Sequence, residues 1–187
     1  VSGILEFRST SNYTVNVSGS VTVNTGARFQ YNTAVVRTHQ LNISKNFTNF
    51  GVVDFYVGAG QIVNLTLNTN SNSTVSGTGT WDLNNVTLNK TTSTAFNLNV
   101  QTSAFESGIR AFIGTYGTYI HNNTGTYNIN PTAATFTIGP NMIYQIPLGT
   151  MWFASAADNV VLQGQLFLTG GNVKIGTTAG NQGLRYD

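Results

Sequence analysis

Val63-Asn64-Leu65-Thr66-Leu67-Asn68 puts an apolar side chain at every odd position and a hydrogen-bonding one at every even position. Side chains of an extended chain alternate between two faces, so this stretch reads as a strand with one face in a core and the other in solvent. The same alternation returns in Phe96-Asn97-Leu98-Asn99-Val100 and in Tyr127-Asn128-Ile129-Asn130. Strand candidates follow one another at intervals of about eight to twelve residues, the spacing of sandwiches, barrels and β-solenoids. Gly-, Asn- and Ser-containing corners separate them at 18–20, 25–26, 58–60, 68–73, 76–79, 114–117, 170–171 and 177–180. Few of these corners are the Asn-Gly or Asp-Gly pairs that close tight antiparallel hairpins. No long helical stripe occurs, and residues 105–113 offer at most one helical turn, weakened by Gly108.

These observations predict an all-β chain folded as a right-handed parallel β-helix, an irregular β-solenoid; the alternative is a β-sandwich. A loose echo favours the solenoid: Val17-Ser18-Gly19 precedes Val21-Thr22-Val23-Asn24, Val75-Ser76-Gly77 leads to Val86-Thr87-Leu88-Asn89, and Gly171-Asn172-Val173-Lys174-Ile175 repeats a Gly-x-Val-x-apolar step. With about 20 to 25 residues per coil, about eight coils would form a rod about 40 Å long. Pairing should be mostly parallel between strands one coil apart. The alternation predicts a continuous core of Val15, Val17, Val21, Val23, Leu41, Ile43, Val63, Leu65, Leu67, Leu83, Val86, Leu88, Phe96, Leu98, Val100, Ile129, Phe136, Ile138, Leu166, Leu168, Val173 and Ile175.

The 187 residues are one domain's worth, read as a single β-solenoid segment over 1–187. Asn (24) and Thr (28) far outnumber the eight basic and six acidic residues, so the outward faces are uncharged and hydrogen-bonding. Such a surface suits stacking and adhesion better than general acid-base chemistry. The net charge of +2 comes from scattered residues and makes no basic patch, which removes support for nucleic-acid binding. Without cysteine there is no disulfide and no thiolate metal site. No apolar run is long enough to cross a membrane as a helix, so membrane insertion is not expected. Neither end carries a convincing capping helix, and a β-helix exposes unpaired backbone at its terminal coils. The chain therefore reads as an internal section of a longer one, its ladder continuing into flanking segments.

Residues 17–30, 39–60, 63–89, 146–171 and 172–181, and most specifically the succession SGTGTWDLNNVTLN at 76–89 followed by a later Trp-containing strand, resemble the β-solenoid segments of very large surface adhesins of Bacteroidota. The resemblance spans most of the chain. It implies an extracellular protein of the bacterial cell surface, exported by type IX secretion and serving adhesion and gliding motility. It carries over no catalytic, cofactor or metal residue.

A β-helical carbohydrate-active enzyme would need clustered carboxylates with Arg or Lys beside them. The acids Glu6, Asp54, Asp82, Glu106, Asp158 and Asp187 are far apart in sequence. Asp54 and Asp82 would have to meet across neighbouring coils, with Lys45 or Arg110 nearby; the plainer reading makes each a lone corner or surface carboxylate. His39 and His121 have no metal-ligand spacing and read as strand-edge residues. Gly77-Thr78-Gly79 reads as a corner, since no helix follows. The sequons at Asn12, Asn16, Asn42, Asn46, Asn64, Asn72, Asn85, Asn89 and Asn122 follow from composition and predict no glycan. Thr78/Thr80, Thr124/Thr126 and Thr135/Thr137 would make an ice-binding face only if such pairs recurred in each coil. Tyr116, Tyr119, Tyr127 and Tyr144 are candidates for stacking on sugar rings, or else cap the core. The expectation is a non-catalytic structural and adhesive segment without cofactor, its partners being flanking solenoid segments and surface polysaccharide; a carbohydrate-active enzyme or a carbohydrate-binding module is the alternative.

Overall fold

The computed structural model describes residues 3–8, 10–32, 36–129, 135–153, 159–176 and 183–186. Asp158, Asp187 and the corner at 177–180 lie outside the described residues. The chain winds through β1 (Ile4–Phe7), β2 (Thr14–Val17), β3 (Val21–Val23), β4 (Arg28–Tyr31), β5 (Arg37–Ile43) and β6 (Phe47–Asn49). It continues through β7 (Val52–Asp54), β8 (Tyr56–Gly58), β9 (Gln61–Asn68), β10 (Ser73–Ser76), β11 (Thr80–Asn89) and β12 (Asn97–Val100). A single helical turn, α1 (Ser103–Ser107), precedes the long β13 (Ile109–His121). The remaining strands are β14 (Thr126–Ile129), β15 (Thr135–Ile138), β16 (Met142–Ile146), β17 (Thr150–Phe153), β18 (Asn159–Leu162), β19 (Gln165–Leu168), β20 (Asn172–Ile175) and β21 (Gly183–Tyr186).

Among the described residues every strand pairing is parallel except the short contact of β8 with β9. This excludes the sandwich and makes the chain a parallel β-solenoid of about six turns, fewer than the eight expected. The coils are unequal in length: register partners are separated by as few as 21 residues (Asn68 and Asn89) and as many as 28 (Thr48 and Ser76). Face A stacks β1, β4, β7 and the start of β11. Face B stacks β2, β5, β9, the rest of β11 and the start of β13. Face C runs without a break from β3 through β6, β10, β12, the end of β13 and β16 to β19.

On face A the stack stops at α1, which sits between β11 and β14. Beyond it, β14, β17 and β20 form one separate sheet and β15, β18 and β21 another. The sequence predicts one turn near this place, and Gly108 ends it rather than preventing it: a Cβ there would lie 2.4 Å from the Trp81 carbonyl oxygen.

The alternation places most of the expected core correctly: all of β9's odd-numbered apolar residues from Val63 to Leu67 are buried, as are Leu83, Val86 and Leu88 of β11. Val17, Phe96, Leu166, Val173 and Ile175 are only half-buried. Val15 and Leu168 are exposed although their register partners Leu41 and Ile146 are buried, because they lie in the outermost coils, where a second layer is missing on one side. Much of the interior is aromatic instead. Phe7 and Phe29 stack with centroids 5.5 Å apart, Phe55 meets Phe29 edge-on at 4.9 Å, and Trp81 meets Phe47 and Phe105 edge-on at 4.8 and 5.1 Å. Each such ring contributes about 1.5 to 3 kcal/mol by leaving water.

The repeat that organises the coils differs from the echo in the sequence. Val21, Val86 and Val173 fall on face C, on face B and in the β14-β17-β20 sheet, so those three phrases do not stack. What does recur is a small residue just before the strands of face A and of the sheet beyond it: Ala27, Gly51 and Gly79 before β4, β7 and β11, then Gly125, Gly149 and Gly171 before β14, β17 and β20. A Cβ on Gly51 would lie 2.3 Å from the Ala27 carbonyl oxygen, and one on Gly79 would lie 2.4 Å from that of Gly51. At Gly51 and Gly79 the coils touch backbone to backbone, which leaves no room for a Cβ. Buried asparagines shape the same corner twice: the Gly51 N–H donates to Asn49 Oδ1 (2.9 Å) and the Gly125 N–H to Asn123 Oδ1 (3.0 Å).

Candidate functional site

Face A carries the charged side chains that the coils bring together. Glu6, Gln30, Asp54 and Asp82 occupy register-matched outward positions on β1, β4, β7 and β11, so they form one row running up the solenoid. Asp54 and Asp82 thus do meet across neighbouring coils, and neither is the lone carboxylate of the plainer reading. Arg28 bridges Gln30 (Nε to Oε1, 2.6 Å) and Asp54 (Nη2 to Oδ2, 3.6 Å). Arg110 pairs with Asp82, donates to the Leu83 carbonyl at 3.3 Å, and lies 3.7 Å over the Tyr56 ring. Lys45 is exposed at a different corner, ahead of β6. Glu6 accepts from Gln30 Nε2 (2.6 Å) and Asn32 Nδ2 (2.8 Å), and these bonds, Asn32's first, hold its carboxyl below the usual range. Partial burial, and then the neighbouring Asp82, push the Asp54 carboxyl up.

Beside this row the glycine corner leaves a furrow. Arg28, Phe50, Gly51, Thr78, Gly79 and Thr80 are among the residues that line it. Phe50 is 46% exposed there, with Gly26 and Thr78 of the neighbouring coils lining the same furrow.

The strongest polar cluster is buried. Glu106 on α1 faces three successive inward positions after the start of face C: its Oε1 accepts from Tyr119 Oη (2.7 Å) and lies 2.7 Å from His121 Nδ1, and its Oε2 accepts from Asn123 Nδ2 (2.8 Å). His121 Nε2 lies 3.2 Å from the Gly125 carbonyl oxygen, so both ring nitrogens face oxygen. Glu106, Tyr119, His121 and Asn123 are all buried. Desolvation first, and then the Glu106 charge, push the Tyr119 and Tyr127 hydroxyls well up, and burial pushes Tyr144 up as well. Buried in this way, the cluster ties α1 to the end of β13 where the face A stack stops.

The two histidines are therefore core residues, contrary to the strand-edge reading. His39 is buried between the Phe7 and Tyr31 rings, and its Nδ1 accepts from the Tyr13 N–H (3.1 Å). Burial, then Arg37, lowers its basicity. Tyr119, Tyr127 and Tyr144 are likewise buried and cannot stack on a sugar; Tyr116 is half-buried. Lys90 is a site that sequence reasoning missed. Its ammonium is buried, donating to Ser73 Oγ (2.7 Å) and the Ser71 carbonyl (3.2 Å), and desolvation lowers its pKa to about 8.

Outside face A the surface is a set of amide and hydroxyl ladders. Asn42 Nδ2 donates to Asn16 Oδ1 (2.7 Å), Asn84 Nδ2 to Asn64 Oδ1 (3.3 Å), and the Thr48 and Ser76 hydroxyls lie 3.2 Å apart. Several sequon asparagines are thus engaged in the ladders. Threonine pairs do not recur in register, since Thr80 stands over Val52. Among the described residues no helix is long and apolar enough to cross a membrane. Comparison of the chain with protein-family models, with curated proteins and with solved structures finds no match.

Proposed function

We propose that this chain is a structural and adhesive section of an extracellular fibre on a bacterial surface, of the kind exported by type IX secretion and used in adhesion and gliding motility, with no catalysis of its own. The observation that carries this reading is the stack of parallel coils with outward rows of uncharged, hydrogen-bonding side chains. Coil upon coil gives reach from a surface, and Asn and Thr ladders give many weak contacts without a strong field. The face A carboxylates are engaged by Arg28 and Arg110, an arrangement suited to holding a surface rigid rather than to moving protons. Flanking solenoid segments of the same fibre are its natural neighbours, since the outermost coils expose Val15 and Leu168 from the core rows.

The test is attachment. Beads coated with the protein are expected to hold to glass and polysaccharide films under flow longer than beads coated with albumin, and antibodies against it are expected to label intact cells that express it. Equal detachment together with labelling only after lysis would overturn the proposal.

A further inference from the structure

We propose that the furrow at the glycine corner, together with the face A row, binds an uncharged linear polysaccharide; this rests on the adhesive reading and names its ligand. Phe50 supplies the flat apolar platform that a sugar ring's C–H face stacks against. It is nearly half exposed in a furrow that Gly26 and Thr78 line from the neighbouring coils. Because those neighbours are small, the ring is reachable from along the furrow as well as from above.

The row beside it supplies amide and carboxylate groups held in place by Arg28 and Arg110, whose remaining hydrogen-bonding capacity is offered to sugar hydroxyls. Gln30, Asp54 and Asp82 present one such group per coil, in register. A coil advances about 4.8 Å, so equivalent contacts recur along the solenoid axis, which favours a polymer over a single sugar. Thr78 and Thr80 are exposed in the furrow and add hydroxyls to the same track.

Charge decides the polymer's class. Arg28 and Arg110 lie against Asp54 and Asp82, so the row bears both signs within one or two coils. An acidic chain would meet the two carboxylates and a basic chain the two guanidiniums, whereas an uncharged polyol meets donors and acceptors alone.

Affinity electrophoresis of the protein through gels carrying mixed-linkage β-glucan, galactomannan, alginate or chitosan tests this. Retardation is expected in at least one of the uncharged gels and is expected to persist in high salt. Phe50→Ala should weaken it about tenfold and Asp82→Asn severalfold, while Phe167→Ala, which removes another exposed ring, should leave it unchanged. Melting curves confirm that each variant is folded; for a variant that is not, Phe50→Leu, which keeps an apolar side chain but no ring, replaces Phe50→Ala. Retardation only by alginate or chitosan and abolished by salt, equal retardation of Phe50→Ala and the unaltered protein, or none in any gel would each overturn the proposal. Bead attachment to bare glass, measured in parallel, keeps the adhesive reading separate, because it can survive when the furrow variants change nothing.

Discussion

Glu106 Oε1 and His121 Nδ1 lie 2.7 Å apart with neither side chain exposed to solvent. The carboxylate also takes hydrogen bonds from Tyr119 and Asn123, so removing it strands three buried polar groups together. Breaking one partner of such a buried network costs about 3 to 5 kcal/mol. Glu106→Ala is expected to lose that much in urea denaturation, and a loss below about 1 kcal/mol would show that the network does not hold the junction.

Lys90 sets a pH dependence of the same sign as acid denaturation but in the alkaline range. Its folded pKa, about 8, is lower than that of the unfolded chain, so between the two values the unfolded state binds more protons and stability rises with pH. The gain should begin near pH 8, where folded Lys90 gives up its proton, and level off near pH 10 with a total of at most about 3 kcal/mol. Lys90→Met is expected to flatten this rise. If the melting temperatures of the variant and the parent climb in parallel from pH 7 to pH 10, another group is responsible.

The corner glycines are expected to tolerate no side chain. Gly51→Ala and Gly79→Ala place a methyl against a backbone oxygen of the coil below and should destabilise by about 1 to 3 kcal/mol or more. Gly19→Ala, where a Cβ meets nothing within 4 Å, is the matched control and should be nearly neutral. Equal effects at the three positions would count against the backbone contact as the cause.

Asp54 gives the last expectation. Because burial raises its folded pKa, the protonated form is the one the fold favours, and its contribution falls away as pH rises through that value. Asp54→Asn should therefore raise the melting temperature at neutral pH, with the gain shrinking toward acid. A gain that grows toward acid would reverse the assignment.

Strand positions and inward rows are legible in the sequence wherever apolar and polar residues strictly alternate, as from Val63 to Asn68, because burial on one face imposes that period. The rule inverts at Tyr119-Ile120-His121-Asn122-Asn123, where Glu106 pulls the polar side chains inward and leaves Ile120 outward and half-buried. No local pattern announces that, since Glu106 lies on a different element. The pairing of Asp54 with Asp82 depends on a coil of 28 residues, the same separation seen between Thr48 and Ser76, and unequal coils hide such partners. The true corner repeat was obscured for the same reason: its glycines recur at irregular intervals, and it shows only once the register is known.

The interruption of face A by α1 has a mechanical side. Tension along the rod is resisted by the hydrogen bonds between coils, and over most of the molecule three walls share it. Where α1 stands, faces A and B hand over to separate sheets, and among the described residues only face C continues as a paired wall from β13 to β16. A pull from both ends would concentrate at that level, with face C as the hinge line and the Glu106 cluster as the latch on the opposite side. The two stacks of coils are thus joined by the fewest paired walls at that level, which is where a stretched rod is expected to part first.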